Sequence, residues 1–490
     1  MSAAEAAAPF IGQNKVGGDQ TIVVENAVRI DECFVTQVAI TRGFLAPDQA
    51  VLLQAERDRA LRDLDALRAL GPDWARGVDA ILAGGSAAAP AFDRLEREVT
   101  AENAGPWERV AEAKLLHARA VMLDWNDGDK AVRLLERVVA MAPHDWDYAH
   151  DLAKARLMAG QVDAVLDQLT PLRDMAERHP EPEEAMAELD LLEGLANQTC
   201  GRTDRAIAAF RRAAGHMEQT AADAANQAEH VGAWAFVLGL IAESEVKAGR
   251  LEAAQAAYQR AAHVAVDALG PGPEWVPVLT LGLYLREAEA DVAQRANKLP
   301  EARSILGNCI AVWLDLSAKA APGSAIAGGA ARQVGRLLAR EADCAEAAGD
   351  LDVALTSHRA AATTMRDAQR SMPMNMIVAM GLADAILAQS HFLHRRGKRD
   401  QAKQGFEAGL ALARDLARTA PPEMGAPLHL GRAVYGVAKL DPMASGELWA
   451  EVRATLGAST GNLQFGPEDQ EKLDASERAL TAIGTLRELS

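Results

Sequence analysis

Aromatic residues make up only 4% of the 490 residues, and the four cysteines (Cys33, Cys200, Cys309, Cys344) stand far apart with no C-x-x-C pair. Thiols so few and scattered exclude a disulfide framework or a cysteine-rich zinc site, and suit reduced side chains in a cytoplasmic protein. Positive charge is also scarce: 51 Lys+Arg stand against 69 Asp+Glu, a formal net charge of −18. A chain this acidic repels a phosphate backbone, so nucleic acid is not an expected partner. The opening MSAAEAAAPF lacks the basic region and apolar core of a signal peptide. Long apolar runs are missing too. The longest, Gly232–Ala242, has eleven residues, against the roughly 20 that span a bilayer, so no membrane partner is expected.

Catalytic motifs are faint. Gly457-Ala458-Ser459-Thr460-Gly461 spells G-x-S-x-G, but a nucleophile elbow needs a strand before it, a helix after it and a later histidine. Here a helical run, Glu451–Leu456, precedes the motif and the last histidine, His429, lies upstream. The motif reads as a loop, with a hydrolase using Ser459 as the alternative it would support. Gly323–Ala330 has glycines at phosphate-loop spacing without the lysine or the Ser/Thr that would meet the phosphates, and also reads as a loop. His391 and His394 share a helix face, yet a metal would need one or two further ligands, so they read as a polar surface pair. No catalytic, metal or cofactor-binding residue is expected, and the chain is not read as an enzyme.

What is abundant is alanine within a hydrophobic fraction of 49%, the composition of closely packed helices. One phrase recurs: a turn residue, an alanine five later, a large residue four after that, and a small one three further on. It reads Gly201/Ala206/Phe210/Ala213, Gly249/Ala254/Tyr258/Ala261, Gly349/Ala354/His358/Ala361 and Gly397/Ala402/Phe406/Gly409. Weaker copies are Asn126/Ala131/Leu135/Val138, Gly160/Val165/Leu169/Leu172 and Asn297/Ala302/Leu306/Cys309. The turn residue ends one helix in the left-handed conformation, and the other three form one stripe on the next helix. A single hairpin cannot bury that stripe, whereas stacked hairpins can, which predicts a helical solenoid.

The phrase resembles the tetratricopeptide repeat (TPR), and Pro143, twelve residues after Ala131, matches the proline that closes that repeat. The seven copies are 34, 41, 48, 48, 52 and 48 residues apart, similar to the long-repeat bacterial members of the superfamily. The resemblance implies an all-α, right-handed superhelical solenoid of about seven hairpins over 107–456. Residues 1–30 are expected to be flexible or β-prone, because Thr21-Ile22-Val23-Val24 follows a Gly-Gly-Asp-Gln turn and a lone strand must pair within the chain, with a partner or with its copy. Residues 31–106 are expected to be helical. Within them 47–70, starting at Pro47 and Asp48, carries Leu53, Leu61, Leu64, Leu67 and Leu70 on one broad face, to lie against the first repeat or to self-associate. Gly84–Gly105 reads as an irregular connection. Residues 457–490 read as a loop and a capping helix with Leu473, Ala479, Leu480 and Leu486.

In a TPR solenoid the first helix of each pair lines a concave groove, which the resemblance places at residues 18, 14 and 11 before each signature alanine. Those are Phe236, Leu240 and Glu243; Tyr284, Ala288 and Asp291; Arg336, Arg340 and Asp343; and Asp384, Ala388 and His391. Aromatic anchors with orienting charges suit a peptide or partner helix. Arg336 and Arg340, one turn apart, either hold a carboxylate or phosphate or pair with carboxylates such as Asp343. The family's carboxylate-clamp members use asparagines where this chain has Glu243 and Ala288. A second basic spot, Arg395, Arg396, Lys398 and Arg399, is either a solvated turn or a site for an acidic partner or anion. The expected function is a protein–protein interaction scaffold or adaptor. The alternative is a ligand-sensing regulator that relays peptide or small-molecule binding to an effector.

Overall fold

The computed structural model describes residues 59–83, 87–99, 106–122, 128–221, 227–267, 276–320, 325–373, 375–419, 426–440, 446–459 and 467–489. The expected β-prone segment 1–30 lies outside them, as do Pro47, Asp48 and Leu53. Every regular element among the described residues is a helix.

Helix α1 covers 59–68 and is followed by α2 (Pro72–Leu82) and α3 (Ala88–Val99). Seven hairpins then fall where the repeated phrase predicts them. They are α4 (Pro106–Met122) with α5 (Gly128–Met141), α6 (Trp146–Met158) with α7 (Val162–Ala176), and α8 (Pro182–Thr199) with α9 (Thr203–Ala221). Next come α10 (Gln227–Lys247) with α11 (Leu251–Asp267), and α12 (Val276–Arg295) with α13 (Leu299–Lys319). The last two of the seven are α14 (Ala325–Ala347) with α15 (Leu351–Ser371), and α16 (Met376–Arg395) with α17 (Arg399–Thr419). A further hairpin that the phrase does not mark, α18 (Ala426–Ala438) with α19 (Gly446–Gly457), precedes α20 (Pro467–Leu489). The architecture is an all-α, TPR-like array of stacked hairpins. It divides into two compact units, one ending at Leu285 and the other starting at Arg286.

The turns show why the hairpins form. Gly160, Gly201, Gly249, Asn297, Gly349 and Gly397 all have positive φ, between 60° and 85°; the seventh signature residue, Asn126, lies outside the described residues. After each of the six, the next amide donates to the carbonyl five residues back, as in Arg202 N to Asn197 O at 2.8 Å and Asp350 N to Ala345 O at 2.8 Å. This is the six-to-one closure that satisfies the orphan carbonyls of a helix end. The stripe beyond the turn is buried as predicted: Ala206, Ala254, Ala302, Ala354 and Ala402 are all 0% exposed. Phe210 packs so closely on α8 that a Cβ on Gly194 would stand 2.3 Å from its ring.

Two expectations fail for identifiable reasons. The connection expected at 84–105 contains α3, whose Phe92, Leu95 and Val99 are buried; Gly, Ser and Pro nearby mask a stripe at helical spacing. The loop expected at 323–330 is helical from Ala325, and Gly328 is small because Asn375, which caps α16 through Ile377 N and Val378 N, packs against it. Helix α16 is long and apolar enough to cross a membrane, with mean hydropathy 1.5, although 61% of that window is buried inside the protein. Counting uninterrupted runs misses it, since Asp384 and Ser390 break the run. At the end of the chain, Leu473, Ala479 and Leu480 of α20 pack on a core containing Trp449 and Val452.

Gly201→Ala meets no atom within 4 Å and should cost about 1 kcal/mol through backbone strain alone. Gly194→Ala should cost about 1–3 kcal/mol through overpacking against Phe210, and Asn297→Gly should be neutral or slightly stabilising. Urea denaturation checks all three, and equal losses at Gly201 and Gly194 with a loss at Asn297 would contradict this account of the turns.

Candidate partner-binding faces

In the first unit the count-back that selects Phe236 also selects His117, Asp147, Asp151, Lys154 and Glu188 on α4, α6 and α8. These side chains meet, and they meet against α1. Arg59 Nη2 donates to Asp151 Oδ1 at 2.6 Å and Nε to Oδ2 at 3.2 Å. The same guanidinium lies 3.8 Å from Asp147 and 4.0 Å from Glu188. One turn along α1, Asp63 takes Lys114 Nζ at 2.5 Å, His117 Nδ1 at 2.8 Å and the Tyr148 hydroxyl at 3.3 Å. His117 Nε2 reaches Asp151 Oδ2 at 2.9 Å. An imidazole 0% exposed thus bridges a carboxylate of α1 and one of α6. Beneath them Leu64 and Leu67 enter the core, while Leu70 is 44% exposed. Beside the network, His150 stacks on Trp146 at 4.9 Å.

Burial opposes a charge on His117, but the bonds to Asp151 and Asp63 prevail and push its pKa up to about 9. Burial likewise opposes ionisation of Asp63, and His117 with Lys114 holds it below the usual carboxylate range. For Asp151 the same opposition is overcome by Arg59 and His117. The expected anchors beyond this network are not open: Phe236 and Leu240 are 5% and 4% exposed, taken into the core with Leu191 and Leu195. Glu243 is exposed and pairs with Lys247 at 2.7 Å, and Tyr284 is half-buried.

In the second unit the two arginines of α14 face carboxylates of α12. Arg336 bonds Glu287, and Arg340 bonds both Asp291 and Glu287, the latter at 3.2 Å. Glu287 is 4% exposed, so the pair Arg336/Arg340 already holds a carboxylate, from the preceding hairpin rather than from Asp343. Asp343 lies 4.0 Å from Arg395. The second basic spot is occupied in the same way: Arg395 and Arg396 both donate to Glu346, at 2.6 and 3.0 Å, and Arg399 donates to Leu440 O at 2.6 Å. All four residues of that spot are exposed. Asp384 accepts from His429 Nδ1 at 2.8 Å.

His391 and His394 turn their rings to Phe406, at 4.8 and 6.5 Å. Among the described residues no group of three His, Cys, Asp or Glu is placed to hold a metal ion. Ser459 Oγ donates to Thr455 O at 2.7 Å, at the end of a helix rather than on a strand–helix elbow. His358 fills a large position of the repeat and is 1% exposed. Burial, with the charge of Arg395, lowers its pKa to about 4.

No protein-family model matches the chain, and no curated protein does. Among solved structures it is similar to aspartyl phosphate phosphatase F from Bacillus subtilis, at 11% identity over 81% of this chain and 96% of that one, with a TM-score of 0.40. It is also similar to the quorum sensor NprR from B. thuringiensis, at 10% identity over 75% and 97%, TM-score 0.34. A third is the C-terminal part of a TPR repeat-containing protein from Cytophaga hutchinsonii, at 11% identity over 67% and 99%, TM-score 0.33. At such identities and scores these likenesses assign no activity, ligand or partner.

Two of the buried histidines, His117 and His358, predict opposite pH responses. The folded pKa of His117 is raised, so its contribution is whole below about pH 6.5 and disappears as the pH passes about 9; the first unit should lose about 3 kcal/mol across that window. His117→Gln should flatten the loss in urea titrations taken from pH 6 to 10. The folded pKa of His358 is depressed, so the second unit should lose stability as the pH falls from about 6.5 towards 4. His358→Leu should reduce that acid-side slope, to which His391, lowered to about 3 by burial, also contributes, and an unchanged slope would assign it to other groups.

Proposed function

We propose that the chain is a non-enzymatic protein–protein interaction scaffold that holds a peptide or helix of a partner against the first helices of its hairpins. One observation supports this above the others. Helix α1 is itself a helix seated on three successive first helices, through Arg59 and Asp63. That face therefore has the chemistry to seat a helix: paired charges for register and small side chains for close approach. In the second unit the corresponding positions present Arg336, Asp343 and Asp384 with partial exposure, a charged surface suited to orienting a bound segment.

Affinity capture from the native lysate tests the scaffold, comparing wild type with Arg336→Ala/Asp343→Ala. Arg340 still pairs with Glu287 at 3.2 Å in that variant, so folding should be retained. A protein held by wild type and lost, at least ten-fold, by the folded variant is the expected result. The same proteins retained by both would move the site off this face, and no retained protein at all would count against a scaffold.

A further inference from the structure

Six charged or titratable groups are packed under and around a helix of ten residues, and that is an expensive way to build a core. Burying an ion network is often no more stabilising than burying apolar residues of the same volume, whereas such a network selects register and partner sharply. The receiving surface has two slots, one helical turn apart and of opposite sign. The first is acidic, made by Asp151, Asp147 and Glu188, and takes Arg59. The second is donor-rich, made by Lys114, His117 and Tyr148, and takes Asp63. Leu64 and Leu67, at 0% and 1% exposure, fill the apolar floor.

We propose that this surface of α4, α6 and α8 is a recognition site for a partner helix of defined charge order, and that residues 59–68 are its resident occupant, displaced when the partner docks. The partner helix carries an arginine, an aspartate four residues later, and leucines five and eight residues after the arginine. This reading rests on the scaffold function and names the partner's chemistry for the first unit. Exchange replaces like with like, so the ion pairs and apolar packing that 59–68 gives up on leaving are supplied again by the partner helix. What the partner must overcome is the tether, which gives the resident helix an effective concentration in the millimolar range. Recognition by order of charge also excludes the reversed sequence, because an acid in the first slot meets three carboxylates.

The test uses the full chain with Arg59→Glu/Asp63→Lys, and a fluorescein-labelled synthetic peptide of residues 59–70. The expected result is micromolar binding by anisotropy to the variant and at least 100-fold weaker binding to wild type, whose site is filled. A peptide with the arginine and aspartate interchanged should not bind, and adding His117→Gln or Asp151→Asn to the variant should weaken binding at least ten-fold. Equal binding of both peptides, or no binding to a variant that circular dichroism shows to be folded, would overturn the proposal. Hydrogen exchange on wild type tests it without any variant. Amides of 59–68 should exchange by local opening well before those of 203–221, and exchange only with global unfolding would make α1 a fixed core element. A concentration-dependent dimer of wild type that the double variant lacks would instead assign the site to a second copy of this chain. Because the peptide assay concerns residues 59–285 and the capture assay Arg336 and Asp343, either can fail without the other.

Discussion

A single residue held in the left-handed region at each of the six described hairpin turns is the constraint on which the rest of the structure depends. At Gly160, Gly201, Gly249, Asn297, Gly349 and Gly397 the backbone reverses hand for a single residue. The following amide then closes on the carbonyl five back at 2.8–2.9 Å. That bond ends the first helix and fixes where the second begins, so the alanine five residues later arrives under its partner helix. A helix turns by about 100° per residue, so a slip of one position would carry the stripe of alanine, large and small residues away from the interface. The tolerance of the stripe follows from the same point. With the register set by the turn, Val165 can stand for alanine and His358 for an aromatic, each buried in its place.

Charge adds a second layer of register between hairpins. Arg336–Glu287, Arg340–Asp291 and Arg395–Glu346 each span 49 residues, Arg303–Asp350 spans 47 and Arg250–Asp204 spans 46. These separations are one repeat length, because residues one repeat apart occupy the same level on neighbouring hairpins. Exposed pairs of this kind add little stability individually. Glu287 differs: it is buried, and removing its arginines would strand a carboxylate. Because the chain already fixes the order of the hairpins, the pairs bear on the level at which neighbours meet.

Seven hairpins could be read from the sequence because their signal is local: turn residue, alanine and large residue lie within ten positions, and repetition removes the ambiguity of any one copy. The additional hairpin α18–α19 could not, since no glycine at the signature position opens its second helix. Helix α3 was hidden by the Gly-Ser-Pro composition around it, although Ala88, Phe92, Leu95 and Val99 keep helical spacing. The polar network of the first unit was half legible. Counting back from Ala131, Val165 and Ala206 reaches His117, Asp151 and Glu188, just as counting back from Ala254 reaches Phe236. Its other half, Arg59 and Asp63, was not legible, because the bonds to Asp151 and His117 bridge 92 and 54 residues and no periodicity links α1 to the repeats. Periodicity also cannot tell an open groove position from a covered one, which is why Phe236 and Leu240 read as anchors and are buried.

The arginines that mark an anion site in the sequence are engaged within the protein. Arg336, Arg340, Arg395 and Arg396 each meet a carboxylate of an adjacent hairpin, and Arg399 meets a carbonyl. The net charge of −18 comes from the excess of carboxylates over such paired cations, and even carboxylates within ion pairs, such as Asp147, Glu243, Asp291 and Asp343, keep side chains 47–56% exposed. An outer face of this kind attracts a basic segment from a distance and repels an acidic one, with a strength that falls as salt is added. The occupant of the first-unit face obeys the same rule, since its leading contact is an arginine entering three carboxylates. Steering and seating are nevertheless separate properties: the net charge acts at a distance on sign alone, whereas the first-unit face seats an arginine in one slot and an aspartate in the next, one turn away.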